Sequence, residues 1–148
     1  MKARRVEGLD PAARLAPNAA RIVRTRLGEL RSFAERALAP DATTAQHGMR
    51  IAAKRLRYVL EIVGPCVGEP AGPARQAAKA LQAVLGDLHD CDLMLPRVAH
   101  VDSLAMLLRA RRERLFREFV ELWQAEASKG TWAALERAVR SSFPSSSD

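Results

Sequence analysis

The pattern of residues 47 to 63 dictates an amphipathic helix. At 100° per residue, Met49, Ala52, Leu56, Val59, Leu60 and Val63 fall within roughly 100° of one another. His47, Arg50, Lys54, Arg57 and Tyr58 gather on the opposite side, also within about 100°. No carboxylate lies between Asp41 and Glu61, so this positive face has no local counter-charge. A solvated helix face ordinarily mixes signs, because i,i+4 Glu–Lys pairs stabilise it. A ladder of like charges repels itself, and a polyanion lying on it would remove the repulsion.

Composition extends the helical reading to the whole chain. Apolar residues make up 48% but aromatics only 5%, so the core must be built from Leu, Ala and Val, a palette that favours helices. A chain of 148 residues suits one domain with a sizeable core. Its formal net charge of +7 points to acidic partners. No apolar run approaches the 18 or so residues needed to span a bilayer, and Met1 to Arg5 is followed by Glu7 and Asp10 rather than an apolar stretch. A cytoplasmic protein without membrane attachment is expected, with Cys66 and Cys91 as reduced packing residues. Two cysteines with no histidine at ligand spacing do not make a zinc site.

Helix signals divide the chain further. Residues 1–9 read as a flexible basic N-terminus, 10–140 as the helical domain, and 141–148 as a loose Ser-rich tail. Asp10-Pro11 is a helix start, with Pro17 bending that helix or marking its true beginning. The first helix would end near Leu38 and bury Leu15, Ala19, Ile22, Leu30 and Phe33. A second opens near Asp41 and stops at Gly64-Pro65. Residues 64–73 hold three Gly and three Pro and form a loop. A third helix runs from about Pro73 to Leu95-Pro96. A fourth, from Asp102 to Ala127, buries Leu104, Leu108, Leu115, Phe119 and Leu122. The predicted fold is all-α, an antiparallel four-helix bundle with room for a short fifth helix over 131–140.

Some charges depart from their own helix's pattern. Arg26 falls within the apolar stripe of the first helix, and Arg111 between Leu104 and Leu115 on the fourth. A guanidinium buried without a partner costs several kcal/mol, so each must snorkel, pair with an acid such as Glu35, Asp87 or Asp90, or reach a polar channel shared with the ladder. Arg112 is also well placed for such a channel. On the third helix Arg75, Lys79, Gln82 and Gly86 share a face, with His89 at its edge. Gly86 inside a helix costs about 1 kcal/mol relative to Ala. Either another group approaches the backbone there or two helices pack tightly.

Two motifs are distinctive together. One is His47-x-x-Arg50-x-x-x-Lys54-Arg55-Leu56-Arg57-Tyr58-x-x-Glu61; the other is Leu81-Gln82-x-x-Leu85-Gly86-x-x-His89-Asp90. The stretch from about 46 to 95 resembles a CHAD domain, the conserved histidine α-helical domain. That resemblance implies an all-helical fold and binding of inorganic polyphosphate through basic residues lining a channel. Carried over position by position, it implicates His47, Arg50, Lys54, Arg57 and Tyr58 from the first motif. Lys79, Gln82 and His89 come from the second motif and its helix. Arg26, Arg111 and Arg112 rest on the helical wheel alone. A full CHAD domain resembles two such bundles in tandem, whereas this chain supplies one; either it is a fragment of a degenerate protein or two chains pair to rebuild the channel, and a homodimer is expected.

The expected activity is therefore binding, without catalysis or cofactor, in a basic channel between the second, third and fourth helices. Association with polyphosphate granules in the cytoplasm is a further expectation. A linear polyanion could meet successive charges of the ladder over about 15 Å of helix. Three other readings stand, one of them that the basic face docks an acidic protein. A basic helical module could bind nucleic acid, although Tyr58 alone is a poor stacking platform. His47, His89, Asp90 and Asp102 could belong to an HD-type metal-dependent phosphohydrolase, although cations crowd His47 and capping accounts for Asp102.

Overall fold

A computed structural model describes residues 1–141. Five helices follow one another: α1 (Leu15–Ala37), α2 (Thr43–Val67), α3 (Ala71–Val98), α4 (Asp102–Ser128) and α5 (Thr131–Ser141). There is no strand among the described residues. Most of the expected Ser-rich tail, from 142 onward, lies outside them.

Four boundaries differ from the sequence reading, each beside a proline. Asp10-Pro11 starts a turn rather than a helix. The Asp10 carboxylate accepts from the Ala12 amide at 2.9 Å, and the Asn18 side-chain amide donates to the Asp10 carbonyl at 2.7 Å. The helix begins instead at Leu15, which puts Pro17 in the first turn, where its missing N–H has no intrahelical partner to lose. At the other end α2 runs through Pro65 to Val67. The lost N–H bond falls in an exposed last turn that water can serve, so it does not stop the helix. The expected loop over 64–73 shrinks to residues 68–70, and α3 similarly runs past Pro96 to Val98.

The core is built from Val23, Leu27 and Leu30 of α1, Met49 and Leu56 of α2, Leu81, Leu85 and Leu88 of α3, and Phe119 of α4. Fully buried Ala52, Ala53, Ala74 and Ala78 let α2 and α3 approach their neighbouring helices closely. Gly48 does the same for α1, since a Cβ there would fall 2.5 Å from the Phe33 ring. Two expected core residues are not in it: Leu15 is 62% exposed and Leu104 46% exposed, both in first turns that project past the packed layers. The stripe of α1 is rotated toward Ala19, Val23 and Leu27, leaving Ile22 and Phe33 half-buried.

Each long helix packs on the next, α1 on α2, α2 on α3, and α3 on α4. This leaves the two ends of the series, α1 and α4, to be joined. The fifth helix does the closing, packing on α1, α3 and α4. It buries Trp132, Leu135 and Val139, stacks Trp132 on Trp123 at 5.8 Å, and receives Arg31 of α1 on Glu136 at 2.6 Å.

The N-terminal residues, expected to be flexible, are anchored. The Arg4 amide donates to buried Glu29, Arg26 Nη1 donates to the Arg4 carbonyl at 3.0 Å, and Arg55 Nη2 to the Met1 carbonyl at 2.7 Å. Glu29 is 3% exposed and is the anion that Arg26 needs, at 2.8 Å. Arg55 Nη1 stands 3.6 Å from the same carboxylate.

Candidate polyanion-binding face

The antiparallel contact of α2 with α3 carries the ladder along one edge. Leu56 and Met49 turn inward, so the opposite side of α2 faces outward, with its flank toward α3. Three cross-helix meetings define the line. The His47 and His89 rings stack with centroids 4.2 Å apart. Arg50 crosses beside Gly86, where a Cβ would touch Arg50 Nε at 3.4 Å. Arg57 Nη1 donates to Gln82 Oε1 at 2.8 Å. The group that approaches the Gly86 backbone is thus a guanidinium of the ladder. Lys79, one turn from Gln82 on the same side of α3, is exposed.

The electrostatics of this line are uneven. Arg57 has a counter-charge: its Nε lies 3.0 Å from Glu61 Oε1, in ion-pair range though off the N–H direction. His47, Arg50 and Lys54 have no acid partner among the described residues. His47 Nδ1 and Arg50 Nε are buried and have no hydrogen-bond partner among the described residues. Burial pushes the His47 imidazole below its ordinary 6.5, and His89, Arg50 and the amino terminus push the same way. At neutral pH His47 is therefore uncharged. Tyr58, 43% exposed, has Arg57 Cζ 4.6 Å and Lys54 Nζ 5.9 Å from its ring centre, so the ring positions two cations of the ladder.

The arginines placed by the helical wheel alone go elsewhere. Arg26 is drawn inward as its position suggests, but onto Glu29, one turn along its own helix, and away from the ladder. Arg111 is exposed rather than inserted between Leu104 and Leu115. Its neighbour Arg112 makes the inward contacts: it bonds Asp92 of α3, the Pro40 carbonyl at 2.8 Å and Gln46 Oε1 at 3.0 Å. Buried Gln46 donates in turn to the Ala39 carbonyl at 2.9 Å. Arg112 therefore clamps α4 to α3 and to the turn between α1 and α2. The lining expected from the fourth helix is therefore not part of this face, which α2 and α3 make. Sequence reasoning missed Glu29 and Arg55 as a charged hub, because nothing in the local pattern marks Glu29 as buried.

His47 and His89 lie face to face, and no group of three or more His, Cys, Asp or Glu able to hold an ion occurs among the described residues.

An all-α domain whose second and third helices share a cationic edge, with a histidine from each stacked across it, defines the class. The chain belongs to the CHAD domain family, whose model matches residues 2–99, from the anchored N-terminal residues to just past the end of α3. No curated protein and no solved structure matches the chain.

Proposed function

We propose that the α2/α3 face binds inorganic polyphosphate or a similar phosphate-rich polyanion, with no catalytic step and no cofactor. The observation that carries this reading is Arg50, which sits beside Gly86 with a buried Nε that has no partner and no neutralising acid among the described residues. A buried polar group without a partner is costly, and a phosphate oxygen is the partner a guanidinium fits best. Lys54 and Lys79 add mobile point charges, and Gln82 fixes the Arg57 fork. A bound anion offsets the groups that depress His47 and favours its charged form.

A bare phosphate chain suits the face better than nucleic acid. Tyr58 is its one aromatic platform, and two cations already lie near that ring. No helix among the described residues is long and apolar enough to cross a membrane. A cytoplasmic protein that associates with polyphosphate granules fits this reading. Competition between long-chain polyphosphate and RNA for the protein at fixed ionic strength tests it. Polyphosphate should displace RNA at lower phosphate concentration; displacement in the opposite order would favour a nucleic-acid module.

A further inference from the structure

The fourth helix has a face that none of the described residues covers, and it lies beyond the residues matched to the family, which end at 99. Only Ala105, Leu115 and Phe119 of its 27 residues are buried. Along one exposed strip run Leu107, Arg111, Arg114, Glu118, Glu121 and Ala125, all within about 80° of one another on the helix. Leu107 is 67% exposed, and Leu104 at the same end is 46% exposed. Among the described residues, none of the four charged side chains makes an ion pair within the chain. The order of chemistry along the strip is apolar, positive, positive, negative, negative, small apolar.

We infer that this strip is a self-complementary interface on which a second copy of the chain docks with its α4 antiparallel. A two-fold axis level with Phe116, which points the opposite way into the domain, sets Leu107 against the partner's Ala125. It also sets Arg111 against the partner's Glu121 and Arg114 against the partner's Glu118. The symmetry repeats each pair, so four ion pairs and two apolar end contacts span about 27 Å of helix. Parallel pairing would oppose like charges at every step, so the charge order selects the antiparallel arrangement. Exposed ion pairs determine register and specificity more than affinity, so the dimer is weak and loosens as salt rises.

Sedimentation velocity of the full chain over a concentration series, at low and high salt, measures this directly. The wild-type chain should shift from monomer toward dimer with concentration, and the shift should shrink at high salt. Arg111→Glu/Arg114→Glu makes the strip wholly acidic, and Glu118→Arg/Glu121→Arg makes it wholly basic. Each variant alone should remain monomeric while keeping its circular dichroism spectrum. Mixed in equal amounts, the two should form a heterodimer, and the chain carrying all four swaps should dimerise again. A wild-type chain that stays monomeric at every attainable concentration would overturn the inference and leave the strip to some other partner. Dimers that persist in both charge variants would also overturn it, because they would use another face.

Discussion

Replacing Arg50 with Met separates a ligand-binding cation from a structural one. The guanidinium has no acid partner, and its buried Nε has no hydrogen bond among the described residues. Removing it therefore breaks no ion pair and orphans no carboxylate. A buried unsatisfied donor costs about 1–3 kcal/mol, so its loss offsets the packing lost with the longer side chain. For a domain of this size each 1 kcal/mol moves Tm by about 2–4 °C, and Arg50→Met should leave Tm unchanged or slightly raised. Binding behaves differently. A hydrogen bond to a charged group contributes about 1.5–3 kcal/mol, and each 1.4 kcal/mol is tenfold in Kd, so polyphosphate affinity should fall about 10- to 100-fold. The slope of log affinity against log salt should flatten by nearly one contact, about 0.7–0.9. Calorimetric titration beside a thermal melt reads both effects. A lowered Tm with unchanged affinity would refute the reasoning and make Arg50 a packing residue.

Three further expectations follow from the same geometry. Gly86→Ala adds a methyl at ordinary contact with Arg50 and gains about 1 kcal/mol of helix propensity, so it should bind normally and melt no lower; Gly86→Leu displaces the guanidinium and should lose affinity while staying helical by circular dichroism. Because burial, His89 and Arg50 hold His47 below 6.5, the free imidazole charges only below that value, whereas a bound phosphate raises it; affinity measured by titration should climb as pH falls from 7 past 6.5, by at most about tenfold per pH unit for one proton, and His47→Gln should flatten the climb. The unfolded chain takes up that proton first, so the ligand-free protein should lose Tm over the same acid range. Glu29→Leu leaves Arg26 and Arg55 without their buried anion and the Arg4 amide without its acceptor, and should cost on the order of 3 kcal/mol in a chemical melt; it should also release the Arg4 amide to hydrogen exchange, and retained protection would contradict the anchoring role.

The parts of the molecule legible in the sequence are those where one helix carries its own evidence. The second helix declares both faces, because Met49, Leu56 and Leu60 recur on one side and the cations on the other. Gly86 signals a close approach because glycine inside a helix is otherwise unfavourable, and the approaching group proves to be Arg50. What fails to show is anything decided between helices. The wheel detects that Arg26 turns inward but not that Glu29 is buried beside it. Arg111 and Arg112 differ by 100° of rotation, and only packing against Asp92, Pro40 and Gln46 selects Arg112 as the inward one. Pro65 looks like a stop, yet its lost bond falls at an exposed helix end where the loss is small. Leu15 and Leu104 fit their stripes but sit in first turns that extend past the core, an effect of helix length on which periodicity is silent.

The central claim concerns where phosphate lands, and NMR of the arginine Nε–H and histidine ring signals reads this residue by residue. Adding long-chain polyphosphate at fixed pH and salt should shift Arg50 Nε–H most, with His47, His89 and Arg57 moving alongside it. Arg26, Arg55 and Arg112, already held by Glu29, Asp92 and Gln46, should stay still. Shifts confined to those three, with Arg50 and His47 unmoved, would contradict the account.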